Sequence, residues 1–260
     1  MKIHSLVAAA NVGFMLLVGI AAEAAEVKVL AAFGIRPVME DLGPKFERAS
    51  GHQLAITFDS GPATVKRVQG GETADVVIIP RERIDGFVKD GKAAAGNVTV
   101  VARSRGLGVA IRKGAPKPDI SSPEALKRTL LAAKSITYPD PARGTATGTH
   151  FAKVLDRLGI ANEMKQKTVF PKIAGGAAVG ALVANGEAEI GVLQGQVLIS
   201  VAGIELVGLL PDDLQNAVVF AAAIMAGAND IEASKALVNF LRTPEAAAVI
   251  KAKGMEPATP

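Results

Sequence analysis

Residues 53–79 read QLAITFDSGPATVKRVQGGETADVVII, and the succession of textures in this stretch decides the fold class. Gln53 to Phe58 is a short run with the β-branched and aromatic residues of a strand. Asp59-Ser60-Gly61-Pro62 is a turn that opens a short helix, Ala63 to Gln69, closed by Gly70-Gly71. Asp75 to Ile79 is a continuous apolar run, which suits a strand buried on both faces. The same unit starts one strand earlier. Val27 to Ala32 reads as a strand, and Pro37, Met39, Leu42 and Phe46 mark a helix that Pro44 should kink and Ser50-Gly51 should end. A polar helix, Arg81 to Asp90, follows. Strand–helix alternation of this kind predicts an α/β fold with mostly parallel sheets and right-handed crossovers.

Beyond residue 90 the texture changes. Asn97 to Ala102 and Leu107 to Ile111 are apolar runs with no helix between them, read as extended segments that pass from one lobe to another. Ser122-Pro123 opens a helix to about Ala133. Strands are expected at Ser135 to Tyr138, Thr168 to Phe170 and Ile190 to Leu193. Helices are expected at Thr149 to Leu158 and Ala177 to Asn185, stopped by Gly159 and Gly186. Val218 to Met225 returns the chain to the first lobe, and helices Ile231 to Leu241 and Pro244 to Lys251 complete it. The expected organisation is a signal peptide at 1–25, lobe 1 at 26–104 and 219–260, and lobe 2 at 105–218.

Residues 1–25 carry Lys2, an apolar stretch from Leu6 to Ile20 and the small-x-small triplet Ala22-Glu23-Ala24. That is the pattern of a cleaved export signal, and the apolar stretch is at or below the length a bilayer demands. The expected location is the periplasm. With 260 residues, 49% of them hydrophobic, the chain can bury a real core. It has no cysteine, which removes redox pairs, disulfides and thiolate metal sites. Lys+Arg 29 against Asp+Glu 25 gives a net charge of +4 with the cations dispersed among acids. With no Trp and one Tyr, this argues against a nucleic-acid surface.

Three loops follow strand ends and lead into helices: Phe33-Gly34-Ile35-Arg36-Pro37, Asp59-Ser60-Gly61-Pro62-Ala63-Thr64, and Pro141-Ala142-Arg143-Gly144-Thr145-Ala146-Thr147-Gly148-Thr149-His150. Each offers free backbone N–H groups at the positive end of a helix, glycines that admit close approach, and hydroxyl donors. Such loops bind anions without a full countercharge. They also occur as ordinary turn chemistry. No Gly-Lys-Ser/Thr follows the third loop, as a phosphate-cradling loop requires. Arg36 is a candidate fork for a carboxylate, with Arg143 beside it. His52 reads as a surface residue and His150 as a ligand contact or a packing residue. Two isolated histidines make no metal site, and no cofactor is expected. Asp75 reads as structural, and Glu82, Asp85 and Asp90 as a solvated helix face. No serine nucleophile elbow and no acid–base carboxylate pair is visible.

The chain resembles the type II periplasmic binding proteins, and among them the molybdate-binding components of ABC transporters. The resemblance rests on VKVLAAFGIRPVMEDLGPKFERASG, FDSGPATVKRVQGGETADVVII, YPDPARGTATGTHFAKVLDRLGI, VANGEAEIGVLQ and FLRTPEAAAVIKAKGM, in that order. It implies two hinged lobes closing on a ligand, export across the inner membrane, and delivery to a permease. The expected state is a monomer. Three positions depart from the molybdate binders. Gly34 stands where they carry a serine, Gln194 where they carry a tyrosine, and Arg36 where threonine is commoner. The neutral cage for a tetrahedral oxyanion is therefore thinned, and a charged donor favours an organic carboxylate. The same branch resembles aconitate isomerase, an enzyme on this fold. That resemblance implies an alternative activity in which His150 would shuttle a proton. The expected contacts are Phe33, Gly34, Arg36, Ser60, Gly61, Thr64, Arg143, Thr145, Thr147, Gly148, Thr149, His150 and Gln194.

Overall fold

The computed structural model describes residues 24–173 and 175–258; the expected signal peptide lies outside them but for Ala24 and Ala25. The chain runs β1 (Glu26–Ala32), α1 (Arg36–Ser50), β2 (Gln53–Asp59), α2 (Gly61–Gln69), β3 (Val76–Pro80), α3 (Arg81–Lys89), β4 (Ala93–Ser104) and β5 (Leu107–Arg112). It continues through α4 (Pro123–Ala132), β6 (Ile136–Thr137), α5 (Ala146–Arg157), α6 (Ala161–Lys167), α7 (Gly176–Asn185), β7 (Ile190–Gln194), α8 (Gly195–Leu198) and β8 (Ile204–Leu209). The last elements are β9 (Val219–Met225), α9 (Ile231–Phe240), α10 (Pro244–Ala252) and β10 (Met255–Pro257).

Two sheets result. One has the order β10-β4-β9-β3-β1-β2 and the other β6-β7-β5-β8. β1 lies parallel to β2 and β3, and β6 parallel to β7. The remaining pairs are antiparallel. Both sheets are thus mixed, which corrects the expectation of mostly parallel ones. The strands that run against the rest are β9 and β10 in the first sheet and β5 in the second. A strand buried on both faces reads as the same apolar run whichever way it points. β3 is buried at every position, as its sequence demands, because it lies between β1 and β9.

Helix α1 runs unbroken through Pro44. Pro44 and Glu40 are both exposed, so the carbonyl that Pro44 leaves unpaired is on the solvent side, where water satisfies it. Gly51 ends the helix at φ 78° with its N–H on the Glu47 carbonyl. Asp75 is buried, and its carboxylate accepts the Lys28 N–H at 2.7 Å and the Asn229 N–H at 2.6 Å. It ties β1 to the loop after β9, the structural part read from the sequence.

Two apolar cores form. One gathers residues from Val27 to Ala102 and from Val218 to Met255. The other side holds two clusters, between Leu107 and Leu214 and around Ala110, Val179, Leu193, Val197 and Leu198. No buried residue is common to both sides. The chain crosses between them at Ser104–Leu107 and Gln215–Val218. Ser104 N–H donates to the Val218 carbonyl and Val218 N–H to Ser104 Oγ, both at 2.8 Å. The Gln215 side-chain amide accepts the Leu107 N–H and donates to the Leu107 carbonyl, both at 2.8 Å, and also donates to the Leu210 carbonyl at 3.0 Å.

Candidate functional site

The ends of β1, β2 and β3 meet the loop from Pro139 into the start of α5, together with Pro171, Ile173, Gly175, Gly176 and the end of β7, around a cleft of about 110 Å³. That space is far above the ~10–15 Å³ that a single water requires, so the cleft accommodates a solute. Two caps shape its donors. Ser60 caps α2, its Oγ accepting the Ala63 N–H at 3.2 Å. Thr145 caps α5, its Oγ1 accepting the Gly148 N–H at 3.1 Å. A hydroxyl that accepts from its own helix keeps its proton for another acceptor. One such donor therefore enters the cleft from each lobe.

Of the contacts expected from the sequence, Phe33, Gly34, Ser60, Gly61, Arg143, Thr145, Thr147 and Gln194 line the cleft. Five do not. Arg36 is exposed, paired with Glu40 at 2.7 Å and set over the Phe58 ring at 5.3 Å. Thr64 is on the buried face of α2, and Thr149 is exposed on α5. Gly148 is packed inside the first turn of α5, and a Cβ there would run into the Pro139 carbonyl. His150 holds its Nε2 2.8 Å from the Leu214 carbonyl oxygen. The last three placements share a cause. α5 starts at Ala146, not at Thr149, because Thr145 takes the capping role; the third loop is therefore shorter than the sequence suggested and carries His150 away on the helix.

Gly34 has a packing reason for its missing side chain. A Cβ at Gly34 would lie 2.5 Å from Phe220 Cζ and closer still to Gln194 Oε1. Gln194, 7% exposed, fills this space, and Gln196 Nε2 donates to the Gly34 carbonyl at 3.2 Å and to Gln194 Oε1 at 3.3 Å. The glutamines of the β7–α8 junction thus dock onto the first loop of the opposite lobe.

Sequence reasoning missed two charged residues of the cleft, Arg83 and Asp140. Arg83 is in the first turn of α3, directly after a buried strand, the same post-strand position that marked the three loops. Its Nη2 donates to the Gly144 carbonyl at 2.8 Å, and its Nε is buried without a partner. Arg143 donates through Nη2 to the carbonyls of Pro171 and Lys172, at 3.2 and 2.9 Å. Among the described residues neither arginine forms an ion pair. Asp140 is wedged between Pro139 and Pro141, and its Oδ1 accepts the Ala142 N–H at 2.9 Å. Proline on its C-terminal side holds its backbone extended, at φ −56° and ψ 119°.

Two α/β lobes with a solute-sized cleft between them, lined by helix starts, define a solute-binding fold. The chain belongs to the bacterial extracellular solute-binding protein family, whose profile matches residues 27–256. It is 33% identical over 235 residues to an aconitate isomerase from a Pseudomonas species, covering 88% of this chain and 87% of that protein. It is 24% identical over 255 residues to the molybdate-binding protein ModA of Escherichia coli K12, covering 96% of each. Among solved structures, the periplasmic molybdate-binding protein of Azotobacter vinelandii superposes with a TM-score of 0.74 at 20% identity, covering 90% of this chain and 99% of that one.

Proposed function

We propose that this protein works in the periplasm, closing its lobes (26–104 with 219–260, and 105–218) on a small organic polycarboxylate for an ABC permease. One observation carries the ligand class: two guanidinium groups without acidic partners line one cleft with an oriented hydroxyl from each lobe. Guanidinium forks suit planar carboxylates, which they can hold through two parallel hydrogen bonds. Molybdate is a poorer fit, since Gly34 and Gln194 stand where its binders place a serine and a tyrosine. Closure is driven by the ligand contacting both lobes at once.

Thermal melting tests the reading. A carboxylate at about 100 times its Kd adds ~2.7 kcal/mol of stability, and trans-aconitate, citrate and related polycarboxylates are expected to raise the midpoint. Molybdate, tungstate and sulfate are expected to leave it unmoved. The reverse pattern overturns the proposal.

A second reading, isomerisation of aconitate, is supported by the 33% identity over most of the chain to an enzyme of that name. The double bond moves when a proton leaves one carbon and returns at another. His150 is badly placed for that step, because its Nε2 is engaged at Leu214 and the ring does not line the cleft.

A further inference from the structure

Asp140 is an odd tenant of a cleft read as anion-binding. A carboxylate there repels the guest that the arginines attract, so pure capture would be better served without it. Its position is nonetheless firmly built. Prolines flank it on both sides, and the Ala142 N–H fixes Oδ1 at 2.9 Å. Among the described residues Oδ2 accepts no hydrogen bond, and Asp140 is the only carboxylate among the cleft-lining residues. Arg83 and Arg143 line the same space.

Resting on the polycarboxylate reading above, we propose that Asp140 is the catalytic base of this cleft and that the protein moves a proton along its bound ligand. In an unsaturated tricarboxylate, Asp140 takes a proton from the methylene carbon. That C–H bond breaks and an O–H bond forms on Asp140. The electron pair left behind spreads through the neighbouring C=C bond into a carboxylate, whose added charge the two guanidiniums stabilise. The proton then returns to the far alkene carbon, the O–H bond breaks, and the double bond has shifted by one position. Atoms and electrons balance within ligand and protein, with no oxidant or co-reactant.

The test uses the exported protein, trans-aconitate as probe, and proton NMR in D2O, with calorimetry for binding. Wild type is expected to replace ligand C–H with deuterium and to form the cis isomer. Asp140→Asn keeps the acceptor for the Ala142 N–H and removes the repelling charge. It is expected to melt like wild type, to bind at least as tightly, and to exchange about 100-fold more slowly or worse. A merely structural Asp140 would not combine tighter binding with lost exchange. Wild-type binding without exchange, or exchange by Asp140→Asn at the wild-type rate, overturns the inference while leaving the carboxylate reading intact. Absence of trans-aconitate binding overturns the inference, and failure of all polycarboxylates to bind overturns the reading on which it rests.

Discussion

Arg83 Nη2 donates to the Gly144 carbonyl at 2.8 Å, joining the helix after β3 in one lobe to the turn before α5 in the other. The two residues are 61 positions apart in sequence, and their contact spans the mouth of the cleft. The same guanidinium keeps a buried Nε without a partner, which is costly for a charged donor unless a solute or water completes it.

Truncating this group is therefore expected to weaken ligand capture more than folding. A hydrogen bond to a charged group contributes ~1.5–3 kcal/mol, so Arg83→Ala should raise the Kd for trans-aconitate by about 10- to 100-fold. The ligand-free melting midpoint should move little, because the Gly144 contact lies at an exposed rim. Calorimetry on the two proteins checks this. Equal affinities would remove Arg83 from the binding surface.

Gly34 offers a test of ligand choice. Gly34→Ser restores the residue typical of molybdate binders, but its Cβ would collide with Gln194 and Phe220. Overpacking of this kind costs ~1–3 kcal/mol, and the midpoint should fall by about 2–4 °C for each kcal/mol. No molybdate-dependent stabilisation should appear. A variant as stable as wild type that melts higher with molybdate would show that Gly34 alone had set the preference.

Tyr138 gives a pH prediction with a clean optical handle, since it is the one tyrosine in the sequence. It is packed edge-on against Phe151 and Phe170, at centroid distances of 4.9 and 5.2 Å. Burial, reinforced by the charges of Asp140 and Asp156 and partly opposed by a hydrogen bond with Thr168, pushes its phenol up. Above its ordinary pKa of about 10, the unfolded chain releases a proton that the folded chain still holds. The resulting contribution to stability is complete below that pH and is lost as pH rises through the folded value. Urea midpoints of wild type should fall on this alkaline limb more steeply than those of Tyr138→Phe. A native phenolate absorbance that titrates at the ordinary value would sink the argument.

Much of this architecture was legible in the sequence because its signals are local. The buried run at β3, the proline-opened helices α1 and α4, and the glycine stops after α1 and α7 all declare themselves within a few residues. The elements that escaped are short or held by distant partners. β10 is three residues paired to an edge of β4, and α8 is a single turn; the strand expected at Thr168 to Phe170 shrinks to a lone bridge between Thr168 and Ile136. Strand direction was equally hidden, since polarity follows from where the chain re-enters a sheet. At the cleft, the hydroxyl loops were visible as composition. Their registration was not, because it depended on which of three threonines capped α5. Arg83 and Asp140 were passed over because one looked like part of a solvated helix and the other like a turn residue between prolines.

Gln215 holds Leu107 by both its N–H and its carbonyl, as a neighbouring strand would, yet with one side chain. With the Ser104–Val218 pair beside it, it holds the two crossing strands together, so the joint turns without slipping. In the closing motion proposed above, whatever rests between the jaws is therefore translated into an angle. Under that proposal, a permease reading the outer faces would sense the guest without touching it: the shedding of water from one small acid would become a change of silhouette.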